Sequence, residues 1–166
     1  MLYLFDLDGT LISSYLDRPG RVYDRWEVLP SRRERLAELR AARHTVGIAT
    51  NQAGVAFGFV TEDQVREKIG RVLEALGLPA DTPYTACFGH AQARLRQYRA
   101  PERLACRKPS GHMITEMLER FPEAAAEGTV YVGDRPEDRA AAEDAGVAFV
   151  PAEAFFQLSP SADGSA

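Results

Sequence analysis

The sequence predicts an α/β protein: a three-layer, Rossmann-like parallel sheet covered by helices. Two observations carry this prediction. Five short apolar, β-prone runs alternate with helical segments along nearly the whole chain, which calls for right-handed crossovers between parallel strands. Polar residues, several of them carboxylates, recur at the carboxyl ends of those runs, the edge where open α/β sheets place their sites.

Leu2 to Phe5 is the first run, and it delivers Asp6 and Asp8 with a turn at Gly9. Carboxylates this close repel one another, so both stay ionised only beside a cation, and a hard divalent metal suits oxygen donors. Ser13 to Leu29 is polar and aromatic around a Pro19-Gly20 turn, and reads as a small hairpin or flap beside the first strand. Ser31 and Glu34 form an S-x-x-E capping box opening a helix that carries Leu36 and Leu39. Thr45 to Ala49 is the second strand, ending in Thr50-Asn51-Gln52 and a glycine-bearing loop.

A second capping box, Thr61 with Gln64, starts the clearest helix. Its Val65, Ile69, Val72, Leu73 and Leu76 share one face, and Gly77 with Pro79 ends it. Pro83 to Phe88 is the third strand. Gly89 to Arg107 is rich in arginine (Arg94, Arg96, Arg99, Arg103, Arg107) and has no periodicity. Lys108-Pro109 leads into a helix with Ile114, Met117, Leu118 and Phe121 on one face. Thr129 to Val132, the fourth strand, runs into Gly133-Asp134-Arg135-Pro136-Glu137-Asp138, where Pro136 suits the first turn of a helix reaching Gly146. Val147 to Val150 is the fifth strand. Residues 159–166 are poor in apolar side chains and read as a flexible tail, which leaves residues 1–158 as one domain.

Composition narrows the function. A chain of 166 residues with 45% hydrophobic and 27% charged residues is an ordinary soluble globular protein. A net charge of −4 and a pI near 5.4 provide no global attraction to nucleic acid or anionic membrane. No apolar run approaches the ~20 residues that span a bilayer. No charged-then-apolar leader precedes the first strand, so the expected location is cytoplasmic. Two cysteines far apart make no disulfide framework.

In a parallel sheet the strand ends share an edge. Asp6, Asp8, Thr50, Asn51, Asp134 and Asp138 can therefore converge, with Lys108 at a helix start. Three or four carboxylates, a hydroxyl or amide pair and one lysine suit a phosphate ester held between Mg²⁺ and protein donors.

The ordered stretches D-L-D-G-T, T-N-Q, K-P and G-D-R-P-E-D resemble the four motifs of haloacid dehalogenase-type phosphohydrolases, over almost the whole chain. Thr50-Asn51-Gln52-Ala53-Gly54-Val55 and Cys106-Arg107-Lys108-Pro109 resemble the small, capless branch. That branch includes histidinol-phosphate and heptose-bisphosphate phosphatases and polynucleotide phosphatase domains. The resemblance implies that Asp6 is the nucleophile and forms an aspartyl-phosphate. Asp8 would protonate the leaving oxygen and later deprotonate water. It also implies Mg²⁺ held by Asp6, Asp134 and the backbone carbonyl of Asp8. Thr50, Asn51 and Lys108 would hold the phosphoryl group, and Asp138 would orient Lys108 or a metal-bound water. The ordinary alternative for Asp138 is a first-turn helix acid favoured by the dipole.

Several members of the branch carry a structural zinc site near the third strand and before the R-K-P. Here Cys87, His90 and Cys106 are too few and are spaced differently, so zinc is not expected and the cysteines read as buried or isolated. Substrate selectivity is expected from the flap, with Tyr15, Arg18, Arg21, Tyr23 and Trp26, and from Arg107 in the arginine-rich run. A small sugar- or metabolite-phosphate is the expected partner, and a polynucleotide 3′-phosphate comes second. A non-catalytic phosphate-binding domain is disfavoured because both Asp6 and Asp8 are present; a phosphotransferase would share these residues.

Overall fold

The computed structural model describes residues 1–14 and 23–157. Tyr15, Arg18, Arg21 and the tail at 159–166 lie outside the described residues.

Strands β1 (Leu2–Phe5), β2 (Thr45–Asn51), β3 (Tyr84–Cys87), β4 (Thr129–Gly133) and β5 (Ala148–Pro151) form one all-parallel sheet in the order β3-β2-β1-β4-β5. The helices are α1 (Arg32–Ala41), α2 (Glu62–Ala75), α3 (Pro101–Ala105), α4 (His112–Arg120), α5 (Pro122–Ala126), α6 (Pro136–Asp144) and α7 (Ala152–Phe155). Central β1 buries Leu2, Leu4 and Phe5 completely, as a strand covered on both faces must.

Alternation along the strands builds two cores. Phe5, Ile48 and Val132 pack with Leu36 and Leu39 of α1 and Val65, Ile69, Val72 and Leu73 of α2. Leu2, Leu4, Ala49 and Tyr131 pack with Met113, Ile114 and Met117 of α4 and Ala141 and Ala142 of α6. The result is the expected three-layer α/β fold. Register places Phe5 beside both Ile48 and Val132, so the residues that follow β1, β2 and β4 emerge at one edge.

The capping box of α2 forms as read. Thr61 Oγ1 accepts from the Gln64 backbone N–H at 3.1 Å, and Gln64 Oε1 accepts from the Thr61 N–H at 2.8 Å. The one expected at α1 does not form: Ser31 has a φ of 68° and its side chain caps nothing. Arg32 anchors that helix start instead, donating from Nε to the Thr10 carbonyl at 2.8 Å and from its terminal nitrogen to that of Pro30 at 3.0 Å. A tertiary tether has overridden the local signal.

The aperiodic arginine-rich stretch contains a 3₁₀ turn at Arg96–Arg99 and the short α3. Helix α7, unread in the sequence, brings Phe155 and Phe156 against Phe5 with ring centroids 5.5 and 5.8 Å away. The excursion after β1 does pair antiparallel at its base, where Ile12 bridges Val28 and the Ser13 N–H donates to the Glu27 carbonyl at 2.9 Å. Tyr23 and Trp26 pack against the α1–α2 core. Among the described residues, no helix is long and apolar enough to cross a membrane.

Candidate active site

A cleft at the carboxyl edge of the sheet is lined by Asp6, Asp8, Asn51, Gln52, Arg107, Lys108, Arg135 and Asp138, among others. Asp6 continues β1: its N–H donates to the Val132 carbonyl at 2.9 Å, and its side chain is almost fully buried. The chain then turns sharply, the Leu7 carbonyl accepting from the N–H groups of Thr10, Leu11 and Ile12.

Gly9 makes this turn with a φ of +83°, and a Cβ there would stand 2.2 Å from an Asp134 carboxylate oxygen. Gly9→Ala therefore meets both backbone strain and a collision at the site. It is expected to lower stability by about 1–3 kcal/mol and to reduce activity with it, read by thermal unfolding and phosphate release.

Lys108 is the hub. The residue is 4% exposed, and its ammonium lies 2.9 Å from Asp6 Oδ1, 2.6 Å from Asp138 Oδ1, 2.8 Å from the Tyr131 hydroxyl and 3.4 Å from the Ala49 carbonyl. Tyr131 in turn donates to the Ala49 carbonyl at 2.9 Å. Burial alone would depress the Lys108 ammonium, but the charge of Asp6, with Tyr131 and Asp138, outweighs it and raises it well above its usual range. Burial pushes the Asp6 carboxyl up to about 7, helped by Asp138 and Asp8, against the opposing pull of Lys108.

Asp138 is buried and fully engaged. Its Oδ1 faces Lys108, and its Oδ2 accepts the backbone N–H groups of Asp134 and Arg135 at 3.1 Å each. It therefore both starts α6 and holds Lys108. Asn51 also has a positioning place: its Oδ1 accepts the Lys108 N–H at 3.1 Å, and its Nδ2 donates to the Lys108 carbonyl at 3.3 Å. Both ends of that amide, expected from the sequence at the phosphoryl group, are occupied in clamping the chain at Lys108.

Thr50 is fully buried below the cleft and accepts from Gln52 Nε2 at 3.0 Å. The same Gln52 nitrogen donates to Asp8 Oδ2 at 2.8 Å, while Lys68 Nζ lies 3.3 Å from Asp8 Oδ1. Sequence reading missed Gln52, Lys68, Tyr131 and Thr10, whose hydroxyl donates to Asp134 Oδ1 at 3.1 Å. A signal existed for Lys68, a charged residue inside the apolar stripe of α2.

Carboxylate oxygens of Asp6, Asp134 and Asp138 lie within 4.8 Å of one another. Burial raises Asp134, with the charge of Asp138 adding to it, and Asp6 is raised as well. An all-oxygen cluster in which ionisation is this costly suits a hard divalent cation, which would favour the ionised forms. Because Asp138 already serves Lys108 and two backbone amides, Asp6 and Asp134 are the better placed ligands.

Arg107 is half-buried at the cleft, whereas Arg94, Arg96 and Arg99 are exposed and Arg103 pairs with Glu62 at 3.1 Å. Of the buried or isolated cysteines expected, Cys87 is buried but neither is a free thiol: Cys87 at the end of β3 and Cys106 form a disulfide, their Cα atoms 5.6 Å apart. The return of the arginine-rich loop to β3 brings them together, two residues before Lys108. His90 lies instead against Phe57, ring centroids 5.0 Å apart.

Fold and site together define the class: a phosphatase of the haloacid dehalogenase superfamily. Within it, the chain belongs to the family described as polynucleotide kinase 3 phosphatase, whose model matches residues 1–156. It is 31% identical over 150 residues to the D-glycero-beta-D-manno-heptose-1,7-bisphosphate 7-phosphatase of Bordetella bronchiseptica, covering 89% of this chain and 77% of that protein. The protein of the same name from Rhodopseudomonas palustris is 32% identical over 148 residues, covering 86% and 77%. The B. bronchiseptica phosphatase solved with magnesium and phosphate aligns with a TM-score of 0.67 at 29% identity, covering 89% of this chain and 78% of that one. A Mesorhizobium loti protein with a HAD-like fold aligns at 0.73 with 27% identity, covering 87% and 68%.

Proposed function

We propose that this phosphatase hydrolyses the phosphomonoester of a small sugar or related metabolite through a phosphoryl group carried on Asp6. The observation that carries the reading is Asp6 and Asp8 side by side in one cleft, the first gripped by Lys108 and the second turned to Gln52 and Lys68. The relatives named as heptose-1,7-bisphosphate 7-phosphatases support the sugar-phosphate choice.

In the first half-reaction an Asp6 oxygen attacks phosphorus and the ester P–O bond breaks. The electron pair leaves with the departing oxygen, which takes the proton of the Asp8 carboxyl. In the second, the Asp8 carboxylate removes a proton from water as the water oxygen attacks phosphorus. Inorganic phosphate leaves, and the Asp6 carboxylate and Asp8 carboxyl are restored. Lys108 moves its hydrogen bonds from Asp6 to the phosphoryl oxygens, and the Thr50 hydroxyl donates from below. Asp138, Tyr131 and Asn51 hold Lys108 in place.

Asp6, Asp134 and the Asp8 backbone carbonyl would hold Mg²⁺, the ion present with phosphate in the solved B. bronchiseptica relative. When bound, it supplies positive charge that keeps Asp6 ionised and offsets charge on the phosphoryl oxygens. Stripping divalent ions with EDTA is expected to cut phosphate release by about 10²-fold or more. Mg²⁺ should restore it and Zn²⁺ should not; full activity in chelator would overturn the metal assignment.

Phosphate release across sugar mono- and bisphosphates, histidinol phosphate, nucleotides and a 3′-phosphorylated oligonucleotide tests the substrate. A sugar phosphate standing far above the others is the expected result. The second reading, a polynucleotide 3′-phosphatase, is favoured by the description of the matched family, and the oligonucleotide leading the panel would establish it. No release from any member would overturn hydrolysis as the reaction.

A further inference from the structure

Lys68 belongs to none of the motifs that carry the proposed chemistry, yet it is bound directly to that chemistry. It lies on α2 among Val65, Ile69 and Val72 and is 3% exposed. Burying an ammonium in an apolar stripe is costly unless a partner compensates it. Among the described residues Asp8 is a partner, with Nζ 3.3 Å from Oδ1, and the ammonium also stands 4.2 Å from the centre of the Tyr23 ring. The other oxygen, Oδ2, takes the Gln52 hydrogen bond. Two elements, α2 and the loop after β2, thus grip the two oxygens of one carboxyl group. Lys68 itself is absent from the cleft lining, whereas Asp8 and Gln52 are part of it.

We propose that Lys68 is a positioning residue that fixes the Asp8 carboxyl in the rotamer from which its unengaged lone pairs face the leaving-group oxygen. A carboxylate has about four acceptor positions, so the hydrogen bonds from Lys68 and Gln52 leave room for the proton that Asp8 passes on. The alternative, a lysine that contacts the substrate's own anionic groups, is disfavoured by its burial behind Asp8. The inference rests on the reading of Asp8 as the acid, and the experiment separates the two.

The test is leaving-group release in a single turnover, with enzyme in excess and Mg²⁺ present, from phenyl phosphate and from p-nitrophenyl phosphate. The esters have similar shapes, but nitrophenolate departs readily without a proton and phenolate does so poorly. Lys68→Met, which keeps the apolar stem, is expected to slow phenol release by about tenfold or more while nitrophenol release changes by less than about twofold. Lys68→Arg, which keeps the charge and a donor, should recover most of the phenol rate.

Asp8→Asn supplies the control. If it slows phenol release selectively and Lys68→Met does not, the positioning role falls while the acid assignment stands. If Asp8→Asn shows no such selectivity, the acid assignment fails and the inference fails with it. Equal losses on both esters for Lys68→Met, with a lowered Tm, would make Lys68 a structural counter-ion. A raised half-saturating enzyme concentration at an unchanged limiting single-turnover rate would make it a substrate contact. Either result overturns the proposal.

Discussion

Asp6→Asn is expected to abolish turnover, lowering kcat by at least about 10⁴-fold, because an amide oxygen cannot replace the attacking carboxylate. The fold should survive. An acid with a raised folded-state pKa is favoured in its neutral form by folding. Its ionisation therefore destabilises the chain progressively as pH rises from the ordinary 3.8 to about 7, and the penalty persists above that. Asparagine is neutral and nearly the same shape, so it escapes this penalty. Without divalent ions, the Tm of the parent chain should fall relative to that of the Asp6→Asn protein as pH rises from about 4 to about 8, because only the parent acquires the buried Asp6 charge. Circular dichroism melts and phosphate release on the same preparation check both halves, and a folded variant that still turns over would remove Asp6 from its assigned role.

Lys108→Met should be damaging to both activity and stability. The ammonium is the shared partner of Asp6, Asp138 and Tyr131 in a site almost closed to water. Removing it leaves two carboxylates facing each other without a counter-charge. Truncating one member of a buried pair costs about 3–5 kcal/mol, and loss of a preorganised charge at the phosphoryl group costs about 10²–10³-fold in kcat. Adding Asp6→Asn to Lys108→Met should restore part of the lost stability without restoring activity. An unchanged Tm in the single variant would mean that Lys108 is not the electrostatic centre of the site. Arginine should not substitute, because the contacts at 2.6–3.4 Å converge on a single point-like ammonium.

The sequence by itself determined the framework. The five strands lie where apolar, β-prone runs were read, and α2 begins at its capping box and buries its apolar stripe, because these depend on periodicity and hydrogen bonds within a few residues. The shared edge also follows from parallel topology, which brings Asp6, Thr50, Asn51 and Asp134 together whatever the loops do.

Only the tertiary structure decided what each of those groups touches. Lys108 is 102 positions from Asp6, Lys68 is 60 from Asp8, and Gln52 is 44 from Asp8. No local pattern says which long side chain crosses such a gap. Asn51 clamps the backbone at Lys108 through both ends of its amide, and Ser31 lost its cap to the tether of Arg32, for the same reason. The Cys87–Cys106 bond likewise depends on where a loop without periodicity returns. Backbone elements follow from short-range physics, whereas buried charges take their partners from whatever the completed packing places within hydrogen-bond reach.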